Sequence, residues 1–115
     1  MNKYRDKSDF EINLRVAQII FTDSEYDVIK QSMEVVKFQN GNGKGTCHAF
    51  DPCNNPADAF PLIIDVKLSI HPDFYNNCES WIVRTVHIPP VKDKSLTRAI
   101  CIAYLMMKDA ENEKV

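Results

Sequence analysis

The hydrophobic residues near the N-terminus recur at helical spacing. They form two neighbouring rows, made by Phe10, Leu14, Ala17 and Phe21 and by Ile12, Val16, Ile19 and Ile20. Ser8 and Glu11 precede the rows as an S-x-x-E capping box, in which each side chain covers the backbone amide of the other residue. The pattern predicts an amphipathic helix over residues 9–20 with a wide buried face.

The patterning then changes from helical to strand-like. Residues 26–38 are rich in β-branched and aromatic residues, with a polar interruption at 30–32, which predicts one or two strands. All three glycines follow in 40-NGNGKG-45, where their clustering favours a turn between strands. The run lacks the G-x-x-x-x-G-K-[ST] spacing of a phosphate-binding loop. Residues 46–50 are predicted to pair as a short strand.

The stretch 51-DPCNNPADAF-60 combines turn and helix-start signals. Asn55 suits the N-cap of a helix, Pro56 its first position and Asp58 its first turn. Phe60 is expected to anchor this helix. Pro61 lacks an amide hydrogen, so the helix is expected either to restart after it or to kink there. The predicted buried side consists of Leu62, Ile63, Ile64 and Val66.

The C-terminal half reads as two strands and a helix. Residues 67–70 indicate a strand that Pro72 ends, and 73–79 form a polar loop. The best strand is 80-SWIVRTVHI-88, with alternate side chains on opposite faces and Pro89 beyond its end. Ser95 is predicted to cap a final helix from Leu96 to about residue 110, apolar nearly all round and therefore in the core.

The order of these elements predicts an α+β fold. We expect a small antiparallel sheet with N- and C-terminal helices packed on one face. The chain of 115 residues fits a single domain over 1–115, with residues 1–7 and 111–115 frayed.

Composition narrows the class of protein. Fourteen basic and sixteen acidic residues give a net charge of −2, which lacks the basic excess of a general nucleic-acid binder. A local basic patch from Arg84, Lys92, Lys94 and Arg98 stays open beside the alternative of a solvated face. No apolar run is long enough to span a bilayer, and the N-terminus does not resemble a signal peptide. We therefore expect a soluble, cytoplasmic protein with no membrane association and four reduced cysteines.

Several residues could carry chemistry. Metal binding by histidine and cysteine is disfavoured because no paired C-x₂₋₄-C spacing occurs, and no metal or other cofactor is predicted. Cys53, near Asp51 and Asp58, could act as a nucleophile if a histidine lay close in space, but a turn cysteine in the core explains it better. Tyr75 and Trp81 could stack on nucleic-acid bases.

Three segments together resemble a known family. They are 8-SDFEIN-13, 51-DPCNNPADAFPLII-64 and 98-RAICIAYLMMKDAEN-112. In this order and spacing, the chain resembles the NinX-like proteins of lambdoid phages and enterobacterial prophages, a domain of unknown function. Phe60 stands where the family is expected to have Trp. The resemblance implies a phage- or prophage-derived accessory protein in the cytoplasm of a bacterial host, and it brings no catalytic residues.

Three functions stay open. The first is binding of a host or phage protein, the second is nucleic-acid binding through the basic residues, and the third is a small enzyme centred on Cys53 and Asp58. Enzymatic activity is disfavoured and no catalytic residue is assigned. The candidate binding residues are Asp51, Cys53, Asn54, Asn55, Asp58, Trp81 and Arg84.

Overall fold

The computed structural model of the chain describes residues 3–38 and 46–113. In chain order the elements are α1 (Asp9–Ile20), β1 (Tyr26–Ile29), β2 (Glu34–Phe38), β3 (Cys47–Ala49), α2 (Pro56–Val66), β4 (Ser69–Pro72), a 3₁₀ turn (Phe74–Asn76), β5 (Trp81–Arg84), β6 (Val91–Asp93) and α3 (Leu96–Glu113). The predicted α+β class is confirmed. The expected single sheet is instead two antiparallel three-stranded sheets, ordered β1-β2-β3 and β4-β5-β6.

Helix α1 begins as the capping box predicts. The Ser8 hydroxyl accepts a hydrogen bond from the Glu11 amide at 3.2 Å, and the Glu11 carboxylate accepts one from the Ser8 amide at 3.4 Å. Ile12, Val16 and Ala17 are buried, as the helical rows require. Ile19 and Ile20, at the end of the second row, are exposed, so the buried stripe is narrower than predicted.

The first sheet covers α1 with a short hairpin and one further strand. Tyr26 pairs with Lys37 across β1 and β2, which confirms two strands within residues 26–38. Strand β3 pairs antiparallel with β2, so the strand expected at 46–50 is also present. Phe50, just past β3, packs edge-on against Phe21 at a centroid distance of 5.0 Å. The predicted glycine turn at 40–45 lies outside the described residues.

Helix α2 has the predicted start. The Asn55 side chain accepts a hydrogen bond from the Ala57 amide at 3.0 Å, and Pro56 is the first helical residue. The helix runs without interruption through Pro61, although that residue cannot donate to the carbonyl of Ala57. Ala57 is exposed, so water can bond its carbonyl. One expectation is wrong: Ile64 does not face the core but is 64% exposed.

Strand β5 is shorter than the apolar run around it. It ends at Arg84, and the next residue, Thr85, donates its hydroxyl to the carbonyl of Val66 at 3.1 Å. His87 then adopts a positive φ of 69°, which a continuing strand cannot contain. The predicted alternation also fails, since the adjacent residues Ile82 and Val83 are both buried.

Helix α3 is the centre of the core. Every residue from 99 to 106 is buried, which confirms a helix apolar on all sides. The helix packs against α1, α2, β5 and β6, and it continues to Glu113 beyond the predicted end. Ser95 caps it, accepting from the Arg98 amide at 3.2 Å. Within the described residues, no helix is long and apolar enough to cross a membrane.

Hydrogen bonds from two tyrosine hydroxyls link α3 to neighbouring parts of the chain. Tyr4, in the segment expected to fray, is buried and donates its hydroxyl to Asp109, while Tyr104 donates to Asp65 of α2 at 2.9 Å. Burial, and then the hydrogen bond to Asp65, raise the pKa of Tyr104 above its ordinary value. Burial and Asp109 raise the pKa of Tyr4 in the same direction.

These tyrosines predict a loss of stability at alkaline pH. The pKa of a tyrosine in the unfolded chain is about 10. Because the unfolded chain then loses its protons before the folded chain does, the tyrosine contribution is complete below that pH and declines above it. We expect the urea midpoint to fall less steeply above pH ~10 in Tyr104→Phe than in the wild type. The two proteins differ only at residue 104, so equal alkaline slopes would contradict this assignment.

Candidate functional site

The 51–54 turn is held by the first turn of α2. The carbonyl of Asp51 accepts from the amides of Asn54 and Asn55 at 3.0 and 2.7 Å. The buried carboxylate of Asp58 accepts the Asp51 amide at 3.0 Å and binds the ammonium group of Lys37 at 3.2 Å. Asp58 therefore joins the turn, α2 and β2, which is a structural role.

The side chain of Asn13, in α1, also forms hydrogen bonds with the 51–54 turn. Its buried amide group donates to the Asp51 carboxylate at 2.7 Å, and its carbonyl oxygen accepts from the Cys53 amide at 3.1 Å. Sequence reasoning did not single out Asn13. The signal available in the sequence was its position directly after Ile12, a member of a predicted buried row. An amide side chain that is buried there requires polar partners.

Cys53 lies in the core beside another thiol. Its sulfur is 3.9 Å from the carbonyl oxygen of Asp9, and its own carbonyl accepts the Thr97 hydroxyl. A hydrogen bond with Cys53, together with burial, raises the pKa of Cys101 well above its usual range. This apolar setting favours the protonated thiol at Cys101, and it shields Cys53 from a substrate in solvent.

Arg98 belongs to the interior rather than to a basic patch. Its side chain is 16% exposed, forms ion pairs with Asp9 and Asp93, and also donates to the carbonyl of Lys7. Lys92 is bound to the buried carboxylate of Asp73 at 3.5 Å. Two of the four basic residues grouped by sequence proximity are thus already paired.

A cleft of about 260 Å³ borders this network. Asp51 and Asn54 lie on its polar side, while Phe10 and Phe50 contribute apolar surface. The Asn54 side chain bridges two acids, donating to Asp9 and to Asp51 at 3.1 Å each. Within residues 3–38 and 46–113, no three acidic, histidine or cysteine side chains come close enough together to hold a metal ion.

Trp81 and Arg84 lie apart from this network, on β5 of the second sheet. Trp81 is opposite Pro72 of β4 and Asp93 of β6, at the end of the strand that begins after the 3₁₀ turn. Arg84, at the other end, donates from Nε to Nε2 of His71 at 3.1 Å. The structure therefore divides the candidate binding residues between two regions.

The outer face of α2 is the apolar surface that the sequence did not predict. Phe60, expected to anchor the helix, is 60% exposed, and Ile64, one turn later, is equally open. Ala57, one turn before Phe60, and Pro61, directly after it, are also exposed. We call these four residues the α2 face. A second exposed pair, Phe74 and Tyr75, lies in the loop between β4 and β5.

The buried network predicts a large difference between two asparagines. Asn13→Ala leaves the buried Cys53 amide without its acceptor and removes one of the two side chains that donate to the Asp51 carboxylate, so we expect a loss of about 3 kcal/mol in unfolding free energy. Asn54→Ala is the control, because Asn54 is exposed and its half-buried partners Asp9 and Asp51 keep their bonds to Arg98 and Asn13, so it should cost less than about 1 kcal/mol. Urea denaturation measures both. Equal losses would show that burial does not distinguish them.

Comparison with known proteins places this arrangement in a family. A comparison with curated proteins and with solved structures gives no significant match to either. The model of the family described as Bacteriophage P22, NinX matches residues 3–108. That range includes the capping box of α1, the 51–58 turn and network, the α2 face and α3 as far as Lys108. The chain belongs to the bacteriophage P22 NinX family.

Proposed function

We propose that this phage-derived chain acts in the bacterial host cytoplasm by binding another protein through the α2 face. Its main support is the exposure of Phe60 and Ile64, at 60% and 64%, on a helix whose opposite side is already buried through Leu62 and Val66. A helix that is apolar on both sides is normally covered on both. An exposed apolar surface of this kind is typical of an interaction site.

The charge around the α2 face favours a protein over a nucleic acid. Between Thr46 and Val66 the sequence contains no lysine or arginine. The lysines that contact α2, Lys37 and Lys108, are already paired with Asp58 and Asp65, which makes the helix a poor match for a phosphate backbone. Apolar side chains at positions 60 and 64 instead match the spacing by which a helix enters an apolar groove. The exposed residues Asn54 and Asn55 supply a polar rim at the helix start.

The α2 face is also fixed before any partner arrives. Asn55 caps the helix, Asp58 ties its first turn to β2, and Tyr104 holds Asp65 near its end. A surface that is already ordered loses little conformational entropy on binding. The buried side chains of Asn13 and Asp58 therefore support the binding surface without themselves contacting the partner.

Substitution on the α2 face should remove binding without unfolding the chain. We expect Phe60→Gln combined with Ile64→Gln to lose a partner that the wild type captures from phage-infected bacteria, with retention reduced tenfold or more (about 1.4 kcal/mol). Glutamine keeps the helix favourable. Quantitative mass spectrometry of captured proteins measures the loss.

The matched control removes two exposed apolar side chains elsewhere. Ile29→Thr suits a strand, and Met33→Asn suits the positive φ of 56° at that turn position. This double variant should capture the partner as the wild type does. Capture that survives the α2 substitutions, or that falls equally in both double variants, would refute the α2 face as the binding surface.

The exposed loop aromatics favour a second candidate, single-stranded nucleic acid. Tyr75 is fully exposed at 102% and Phe74 is 70% exposed. The loop is rigid enough to present them, because the Asp73 carbonyl accepts from the amides of Asn76 and Cys78 at 3.1 and 2.9 Å. Exposed aromatic rings on an ordered loop can stack on bases.

For this second candidate, the expected signature is low-salt binding that depends on one ring. If bases stack on the loop, a fluorescent oligothymidylate should bind, and Tyr75→Ala should weaken binding about tenfold, in line with ~1–3 kcal/mol per stacked base. Fluorescence anisotropy at low and moderate salt measures it, with Phe60→Gln as the control. An unchanged anisotropy at micromolar protein would eliminate the nucleic-acid candidate.

A further inference from the structure

A second and larger cleft, of about 530 Å³, opens at the other end of the β4–β5 hairpin from the loop aromatics. It is bounded by the end of α2, the start of β4, the end of β5 and the later turns of α3. Lys67 and Arg84 both line it. Ser69 pairs with Arg84 across the hairpin, and Lys67 lies two residues before Ser69, so both cations belong to the same end.

The two acids of this cleft share one lysine partner. The Lys108 ammonium group lies 3.4 Å from the Asp65 carboxylate and 3.6 Å from that of Glu111. Asp65 also accepts the Tyr104 hydroxyl. Both carboxylates thus already have a cationic partner in Lys108, which offsets one of their two negative charges.

The two cations that line the cleft have no acidic partner among the described residues. Among the described residues, Arg84 donates only its Nε, to Nε2 of His71, which leaves the two terminal nitrogens of the guanidinium group for a ligand. Lys67 ends α2 in the left-handed conformation, and its backbone amide donates to the Ile63 carbonyl. With Lys108 included, three cations stand against Asp65 and Glu111, a local excess of one positive charge.

Apolar groups adjoin these cations. Val66 and Met107 line the same cleft, together with Val86, which is 62% exposed. A ligand that carries a single anionic group next to an apolar group would match this lining of cations and apolar side chains. An extended polyphosphate does not, because the carboxylates of Asp65 and Glu111 would repel the neighbouring phosphates.

We propose that this cleft binds a carboxylate of the protein partner, carried by an acidic residue or a chain terminus beside an apolar side chain. The guanidinium group of Arg84 suits a planar carboxylate, and Lys67 adds a second charge-assisted bond. This inference rests on the proposed function, since it names the chemistry of the partner at a second contact, separate from the α2 face.

The test uses the full chain and a small probe. N-acetyl-leucine carries one carboxylate and one apolar side chain, and N-acetyl-leucinamide is its uncharged match. In ¹⁵N–¹H correlation spectra we expect saturable shifts at residues 67–69 and 84–86 with the acid, at a Kd on the order of millimolar. The amide should bind at least about tenfold more weakly. Equal responses to the two probes, or none at these residues, would overturn the proposal.

Charge-removing variants locate the contact. Lys67→Asn keeps a residue that tolerates the left-handed conformation, and Arg84→Gln keeps a polar strand residue. Each should weaken the probe about fivefold or more, whereas Lys94→Gln, outside the cleft, should not. Stronger shifts with an oligothymidylate than with N-acetyl-leucine would assign the cleft to phosphate and refute the carboxylate.

The two proposals fail separately. The Phe60→Gln/Ile64→Gln variant should bind N-acetyl-leucine as the wild type does, because the α2 face and the cleft share no residue. Probe binding with no protein captured would count against the proposed function alone. If partner capture depends on Phe60 but N-acetyl-leucine does not bind the cleft, the result would count against the carboxylate site alone.

Discussion

The hydrogen bonds between the Asn13 side chain and the 51–54 turn connect parts of the chain that sequence order keeps far apart. The same turn also receives Asp58 from α2 and the Thr97 hydroxyl at the start of α3. A buried polar group without a partner is costly, so the loss of one of these contacts should weaken the others. The packing of α1 against α3 and the position of α2 both depend on them.

Local signals in the sequence were sufficient for the helix starts. The capping pair of Ser8 and Glu11 and the sequence Asn55-Pro56 act within one turn, so their geometry follows from the residues alone. Phe60 and Ile64 were misassigned for the opposite reason. Which side of an all-apolar helix is covered depends on the position of α3, and no local pattern encodes that position.

The candidate site was predictable only in part. Proximity in sequence grouped Arg84 with Arg98, but folding draws Arg98 inward to Asp9, 89 residues away along the chain. Folding also places Arg84 beside Lys67, which the sequence had not linked to it. Helix α2 and the β4–β5 hairpin bring these two cations to one cleft. The density of the 51–58 stretch is explained mainly by backbone requirements.

Splitting the strands into two sheets gives the molecule four edge strands, β1, β3, β4 and β6, in the described part of the chain. Each has only three or four residues, and β4 ends in Pro72, which cannot donate a further backbone bond. Short edges of this kind are poor templates for pairing with another chain. The protein can therefore expose the apolar α2 face with little risk that its sheets join those of neighbouring copies.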